Sequence, residues 1–309
     1  MKEFTIGAND AGQRLDKFLS IIYPDTSRSF FQKLIKDNGV LVNQKSEKAS
    51  YRMCYEDVVT IHFPDAVETT IEPEDIPLDI LYEDENLLII NKPAGELSQK
   101  AEAKDVSMNE YALGYLQRTG AITEESLKVF KPSVCNRLDR NTSGILIVAK
   151  TYQAAREFGE ALQKRTVRKF YNCIVKGVVK QAEKIDGYLL KDEKTNKVQI
   201  FKDAKEGAAE IHTAYEPLKT KNNLTLLEVH LITGRTHQIR AHLSSIGHSI
   251  LGDPKYGDKK LSDKYKVKYQ LLHACRLELD EFEGDFAKYN GMTITAQPPK
   301  IFEKIMTED

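Results

Sequence analysis

The chain has 309 residues, of which 41% are apolar and 29% charged, with a formal net charge of −1. That size supports a buried core and predicts two domains, and the apolar runs are all too short to span a membrane. Met1-Lys2-Glu3-Phe4 opens no apolar signal region, and Cys54, Cys135, Cys173 and Cys275 stand singly without a CxxC pair. A cytoplasmic protein with reduced thiols is therefore expected, rather than a disulfide scaffold or a zinc protein.

Residues 1–64 read as a domain of their own. Leu15, Phe18, Leu19 and Ile22 fall at helical spacing between Arg14 and Tyr23, and Pro24 ends that helix. Ser27 or Ser29 is placed to cap a second helix carrying Phe30, Phe31, Leu34 and Ile35, closed near Asn38-Gly39. Val40 to Val42 reads as a short strand turning at Asn43, and Val58 to Phe63 as another. Arg28, Lys33, Lys36, Lys45 and Lys48 surround these elements. The module is either a basic binding surface or an ordinary small α+β domain with a solvated face.

From Asp65 to Glu85 there are nine acids and no Lys or Arg, together with Pro73 and Pro77. This reads as an acidic linker, residues 65–85, ahead of a second domain over residues 86–309. Leu87 to Asn91 predicts a buried strand followed by the turn Lys92-Pro93-Ala94-Gly95, and Met108 to Leu116 a helix. Ile145 to Ala149 is an uninterrupted apolar run, as in a strand buried on both faces. Thr151 caps a helix through Lys164 whose apolar face holds Ala155, Phe158, Ala161 and Leu162, and Phe170 to Val175 reads as the next strand. Between Lys150 and Lys180 eight bases stand against two acids, so the neutral total hides a region able to meet a polyanion. Residues 183–215 and Leu224 to Ile232 alternate like antiparallel strands with one wet face. The last of these runs into a helix that starts at Arg235, shows Ile239, Leu243 and Ile246 on one face, and ends at Gly247.

One carboxylate, Asp139, sits between Arg137 and Arg140 just before the central strand, on a loop punctuated by Asn141, Ser143 and Gly144. A loop fixed at the end of a buried strand is a common mount for chemistry; it is equally a place for a solvated charge cluster. His237 and Arg240 share a helix face at i, i+3, beside a helix start that favours anions. The histidines lack metal-site spacing, no Gly-rich phosphate loop precedes a helix, and Ser143-Gly144 lacks the nucleophile-elbow pattern. Metal chemistry, nucleotide hydrolysis and serine hydrolysis are thus unsupported.

Two resemblances bear on these residues. Arg14-Leu15-Asp16-Lys17-Phe18-Leu19, Ser27-Arg28-Ser29 and Gly39-Val40-Leu41-Val42-Asn43 resemble the S4-type RNA-binding domain, over roughly Gly12 to Phe63. That family binds structured RNA with the surface of its helical pair, which implies contacts from Arg14, Arg28 and Lys33. Asn136-Arg137-Leu138-Asp139-Arg140-Asn141-Thr142-Ser143-Gly144, followed by Ala149-Lys150, resembles the central signature of the RluA-type pseudouridine synthases. Three more blocks match in the family's order. They are Leu88 to Gly95, Lys169-Phe170-Tyr171 with Gly177, and Gly234 to Leu243 with Gly252-Asp253-Pro254 and Tyr256-Gly257. An S4-type domain in front is the arrangement of many members, notably those acting on large-subunit ribosomal RNA.

The resemblance implies an α+β fold, with a small helical S4-type module and then a catalytic domain on a mixed, largely antiparallel sheet with flanking helices. It implies isomerisation of a uridine already in RNA, without cofactor or metal. The N1–C1′ bond breaks, the uracil turns in the pocket, and a C5–C1′ bond forms. By the same resemblance Asp139 is the essential aspartate, which either attacks C1′ or removes a sugar proton. Arg235 is its guanidinium partner, offsetting the cost of burying the charge. Tyr171 is the active-site tyrosine, as stacking partner of the base or as the base for proton removal at C5, and Arg137 fills the gap left by the flipped nucleotide. Arg140, Lys169, His237 and Arg240 complete the expected RNA contacts. Asn136 departs from the family, many of whose members have His there; altered RNA contact with intact chemistry is expected. The partner is RNA, ribosomal RNA above all, and the protein is expected to be a cytoplasmic monomer.

Two other readings use the same residues. A non-catalytic RNA-binding or ribosome-assembly factor would keep the scaffold without turnover, and the presence of Asp139, Tyr171 and Arg235 speaks against it. A retaining glycosidase needs two carboxylates about 5–5.5 Å apart, and Asp253 alone accompanies the motif blocks. Tyr171 as an amphipathic strand residue and Arg240 as a solvated helix face are the plainer alternatives for those two positions.

Overall fold

In the computed structural model, which describes residues 2–307 apart from 9, 24–25, 27, 63–76, 103, 124–125, 128–129, 193–194 and 196, the helical spacing near the N-terminus becomes α1 (Leu15–Ile22) and α2 (Arg28–Lys36). They bury Leu15, Phe18, Leu19, Phe31 and Leu34 against a four-stranded antiparallel sheet. Its strands are β1 (Lys2–Thr5), β2 (Val40–Val42), β3 (Lys45–Ser46) and β4 (Val58–Ile61), in the order β1-β4-β2-β3. Asn43 and Gln44 take positive φ (49° and 65°), the backbone a tight hairpin between β2 and β3 requires. Ser29 lies inside α2 and does not cap it; Pro24 and Ser27 lie outside the described residues, as does the acidic stretch 65–76. The predicted linker is corrected at its far end. Ile80–Glu83 forms β5, paired with β6 (Leu87–Lys92), so the second domain begins before residue 86.

The rest of the chain adds α3 (Met108–Arg118), β7 (Ser133–Val134), β8 (Ser143–Ala149), α4 (Tyr152–Lys164), β9 (Arg168–Lys176), β10 (Glu183–Asp192), β11 (Lys197–Phe201), β12 (Ala209–Lys221) and β13 (Leu224–Leu231). Then come α5 (Gln238–Ser245), α6 (Lys259–Lys264), β14 (Leu272–Glu278), a short 3-10 helix (Gly284–Tyr289), β15 (Thr293–Thr295) and α7 (Lys300–Thr307). Among the described residues the second sheet has eleven strands. Nine follow the order β11-β10-β12-β13-β9-β14-β8-β6-β5, with β15 on β14 and β7 on β8. Every pairing in it is antiparallel except β8 with β14, so the expected mixed, largely antiparallel α+β architecture is what forms.

The run that becomes β8 is buried at every position because both its faces are covered. Leu146 and Val148 pack with Met108 and Tyr111 of α3 and Ile239 and Leu243 of α5, while Ile145 and Ile147 pack with Phe158 of α4 and Phe286 and Tyr289 of the 3-10 helix. Thr151 caps α4, its hydroxyl accepting from the Ala154 N–H at 3.1 Å. Gly144 is required where β8 meets β14. Its φ is +115°, and a side chain there would collide with the Ala274 backbone. Among the described residues no helix is long and apolar enough to cross a membrane.

The helix α5 is tied to the sheet through buried His242, whose Nδ1 lies 3.0 Å from the Thr213 hydroxyl of β12. Burial pulls the His242 imidazole down to about 4. A histidine lowered on folding is protonated first in the unfolded chain, so its contribution is complete above the ordinary value near 6.5 and is lost as pH falls toward 4. The urea unfolding midpoint is expected to decline over that window, His242 accounting for about 3 kcal/mol at most. In His242→Asn the decline should be shallower by that share.

Candidate active site

The loop before β8 is held at alternate residues. The side-chain amide of Asn136 donates to Ile145 O (3.1 Å), and its oxygen accepts from the Ile147 N–H (2.8 Å), as a neighbouring strand would. The Leu138 backbone is bonded through both its N–H and its C=O to the Ser98 hydroxyl, each at 3.0 Å. The Arg140 carbonyl accepts from Gly95 N–H and from Lys92 Nζ, both at 2.9 Å. The Lys92 ammonium, fully buried, also donates to Pro93 O and Glu96 O. Its three donors match three carbonyls; burial lowers its pKa to about 8, with Glu96 and Asp139 opposing. The turn closes with Thr142 N–H on Asp139 O at 2.9 Å. Between these anchors stand Arg137, which is exposed, and Asp139; both line a cleft of about 960 Å³.

The guanidinium on Asp139 belongs to Arg240. Nη1 of Arg240 donates to Asp139 Oδ2 at 2.7 Å, while its Nε and Nη2 grip Asp253 at 2.7 and 2.9 Å. The side chains of Asp253 and Arg240 are 0% and 5% exposed; that of Asp139 is 29% exposed and opens to the cleft. Burial opposes both charges of the Arg240–Asp253 pair, yet their contact keeps Asp253 below the usual carboxylate range and Arg240 above its ordinary value. Asp253 also accepts the N–H groups of Lys255 (2.8 Å) and Tyr256 (3.1 Å). The expectation for Arg235 is therefore corrected. Its helix starts later than predicted, at Gln238, behind His237 in a left-handed conformation (φ 54°). Arg235 precedes the first turn, is exposed and lines the cleft, whereas Arg240 projects from within the helix to Asp139.

Around this pair the cleft collects most of the residues singled out in the sequence. Arg137, Asp139, Arg140, Lys169, Tyr171, Arg235, His237 and Arg240 all line it, and Asp139 is the one acid among the lining residues described. Tyr171 is buried; desolvation first, then the nearby Asp139 charge, push its phenol far up, so the protonated form is the resident one. His237 Nε2 is 3.9 Å from Asp139 Oδ2 and its Nδ1 is 3.0 Å from the Tyr256 hydroxyl. Burial lowers its pKa against the pull of Asp139. Arg140 is partly committed elsewhere, its Nε donating to Gly95 O at 2.9 Å. Asn136 lines the cleft as well, and its side-chain amide is bonded to the β8 backbone. In the small domain Arg14 and Arg28 both donate to Asp16, which is buried, while Lys33 is exposed. Burial raises the Asp16 carboxyl, but bonds from Arg14, Gln32 and Arg28 outweigh it and hold it well below the usual range.

Comparison with known proteins fits this geometry. Residues 86–245 match the RNA pseudouridylate synthase family and residues 13–59 the S4 domain. An RNA pseudouridine synthase of Aquifex aeolicus is 34% identical over 304 residues, covering 95% of this chain and 92% of that protein. The chain belongs to the RNA pseudouridylate synthase family. Ribosomal large subunit pseudouridine synthase D of Escherichia coli K12 is 32% identical over 294 residues, 89% of this chain and 85% of that protein. The solved human RNA pseudouridylate synthase domain containing 4 shares the fold, with a TM-score of 0.59 at 24% identity over 72% of this chain and 90% of its own. Like its relatives, this synthase is an isomerase.

Asp253 is the site residue that sequence pattern does not reveal; its only signal is the Gly252-Asp253-Pro254 block. The two carboxylates do share one guanidinium, but Asp253 is sealed and doubly bonded to it. Among the described residues no second free acid therefore stands in the synthase cleft for glycosidase chemistry. Replacing Arg240 by Met would strand Asp253 in the core, at a cost of about 3–5 kcal/mol. Arg235→Met should stay within about 0.5 kcal/mol of wild type. Parallel urea unfolding of the two variants checks the assignment; equal losses would contradict it.

Proposed function

We propose that this synthase converts a uridine of large-subunit ribosomal RNA to pseudouridine, with Asp139 as the group that meets C1′. The observation that carries this reading is one carboxylate, steadied by Arg240, in a cleft whose other charged lining residues, among those described, are cations. Cations draw in the phosphate backbone, and the lone anion is left for the reacting sugar. The relatives named as ribosomal large subunit synthases support the choice of RNA. The S4 domain, with Arg14 and Arg28 fanned from buried Asp16, supplies a second RNA-contacting surface together with Lys33.

A stacked uridine hides C1′ and C5 from a carboxylate at the bottom of a cleft, so the nucleotide must leave its helix. Arg137, exposed two residues before Asp139, fills the vacated place. Asp139 then either bonds to C1′ or removes a sugar proton, and the N1–C1′ bond breaks with its electron pair retained by the uracil. After the base turns, C5 bonds to C1′ while the Asp139–C1′ bond breaks or the sugar proton is returned, the C5 proton departs and N1 is protonated, so the product is an isomer of the substrate. Tyr171, held as a phenol, gives the uracil an aromatic wall. Lys169, His237, Arg140 and Arg235 contact the RNA. No step requires a metal or an organic cofactor, and one copy of the chain in the cytoplasm suffices for all of them.

Mapping pseudouridine in total RNA from cells with and without the protein identifies the target, expected in large-subunit ribosomal RNA. In vitro, Asp139→Asn should lower product formation below detection, on the order of 10⁴-fold or more, while RNA affinity stays within about tenfold. Turnover by that variant would rule Asp139 out as the group that meets C1′. A target confined to transfer RNA would overturn the ribosomal part alone.

A further inference from the structure

Lys169 and Tyr171 leave β9 on the same face, two residues and therefore roughly 7 Å apart along the strand. Both line the cleft. The Lys169 ammonium is half-buried, and among the described residues no carboxylate or carbonyl holds it. The charge acting on it is another cation, Arg165, which ends α4 in a left-handed conformation (φ 70°) and lines the same cleft. On the other side lies Gly234, where a Cβ would stand 3.5 Å from Lys169 Nζ. With no side chain at Gly234, space is left beside the ammonium.

Two cations that repel each other across one cleft, Lys169 half-buried and Arg165 exposed, with no counter-ion among the described residues, raise the free energy of the empty protein. Such an arrangement is satisfied by an anion that arrives with the substrate. Burial and Arg165 both lower the Lys169 pKa, in keeping with a charge awaiting its partner.

We propose that Lys169 and Arg165, beside the bare backbone of Gly234, seat the phosphodiester of the flipped nucleotide itself, while Tyr171 walls its base. The two-residue spacing on β9 is comparable with the reach from a nucleobase to its own phosphate, so one strand grips both ends of a single nucleotide. An ammonium and a guanidinium side by side suit a phosphodiester's two charged oxygens. A seat of this kind engages only the extruded nucleotide. It therefore favours the flipped over the stacked state and raises kcat/KM without touching the bonds that change. The inference rests on the assignment of this cleft to the reacting uridine.

The test uses the full chain with an in vitro transcript of large-subunit ribosomal RNA labelled with tritium at C5 of uridine. Turnover is read as released tritium, and binding as the slope of log affinity against log salt. Lys169→Gln should lower kcat/KM by about ten- to a hundredfold and make the slope shallower by about one. Lys169→Arg should keep most of both, and Arg165→Gln should flatten the slope likewise. Lys169→Gln with wild-type turnover and slope overturns the proposal. So does lost turnover with an unchanged slope, which would place Lys169 in the chemistry or the fold, and so does a shallower slope with full turnover, which would move the seat to another nucleotide. Absence of tritium release by the wild type would instead sink the ribosomal reading, and the slopes would then decide whether Lys169 meets phosphate at all.

Discussion

One guanidinium serves two carboxylates of unequal fate, and the site depends on that inequality. Asp253 takes two parallel bonds from Arg240 and is sealed away, which fixes the plane of the guanidinium and hence the direction of Nη1. Nη1 then fixes where the Asp139 carboxylate rests. Burying an arginine is tolerable only because its donors are matched, and burying Asp253 only because backbone N–H groups of Lys255 and Tyr256 share its charge. The cluster keeps one net negative charge, and that charge is left facing the cleft.

The loop that carries Asp139 is as constrained as the arginine that meets it. Asn136, Leu138 and Arg140 are each bonded to a neighbouring element, so the residues between them can only turn outward. Lys92 contributes a buried ammonium shared by three carbonyls from two loops, which stitches the turn after β6 to the loop before β8. A carboxylate held this way needs no reorganisation when substrate arrives, the condition under which electrostatic stabilisation of a transition state is most effective. Cations around the rim answer the opposite need, that of holding a polyanion beside an anion.

Much of this is legible from residue order alone, and the failures have local causes. Runs with a clear apolar pattern, continuous in β8 and β6 and helical in α4, fold as that pattern predicts because packing reinforces local preference. β1 and β5 are hidden: Lys2–Thr5 has almost no apolar alternation, and Ile80–Glu83 adjoins a strongly acidic stretch. The start of α5 is set by His237 in a left-handed conformation, which no periodicity announces. That displacement also explains the arginines. Arg235 and Arg240 lie in one motif, and linear order does not say which points at Asp139; the answer depends on where the helix begins. Asp253 and Asn136 act through hydrogen bonds to groups brought close only by the fold, so the motif blocks that contain them do not say what they hold.

The parallel contact between β8 and β14 has a consequence for how the protein comes into being. β14 lies near the middle of the large sheet, between β9 and β8, although it is among the last strands of the chain. Until it is inserted, the growing polypeptide holds two half-sheets with raw inner edges, and the cleft has no continuous floor. Such non-local closure is slow and leaves unpaired strands open to wrong partners. A nascent chain emerging from a ribosome thus carries Asp139 long before the strand that completes the sheet beneath the cleft has been made.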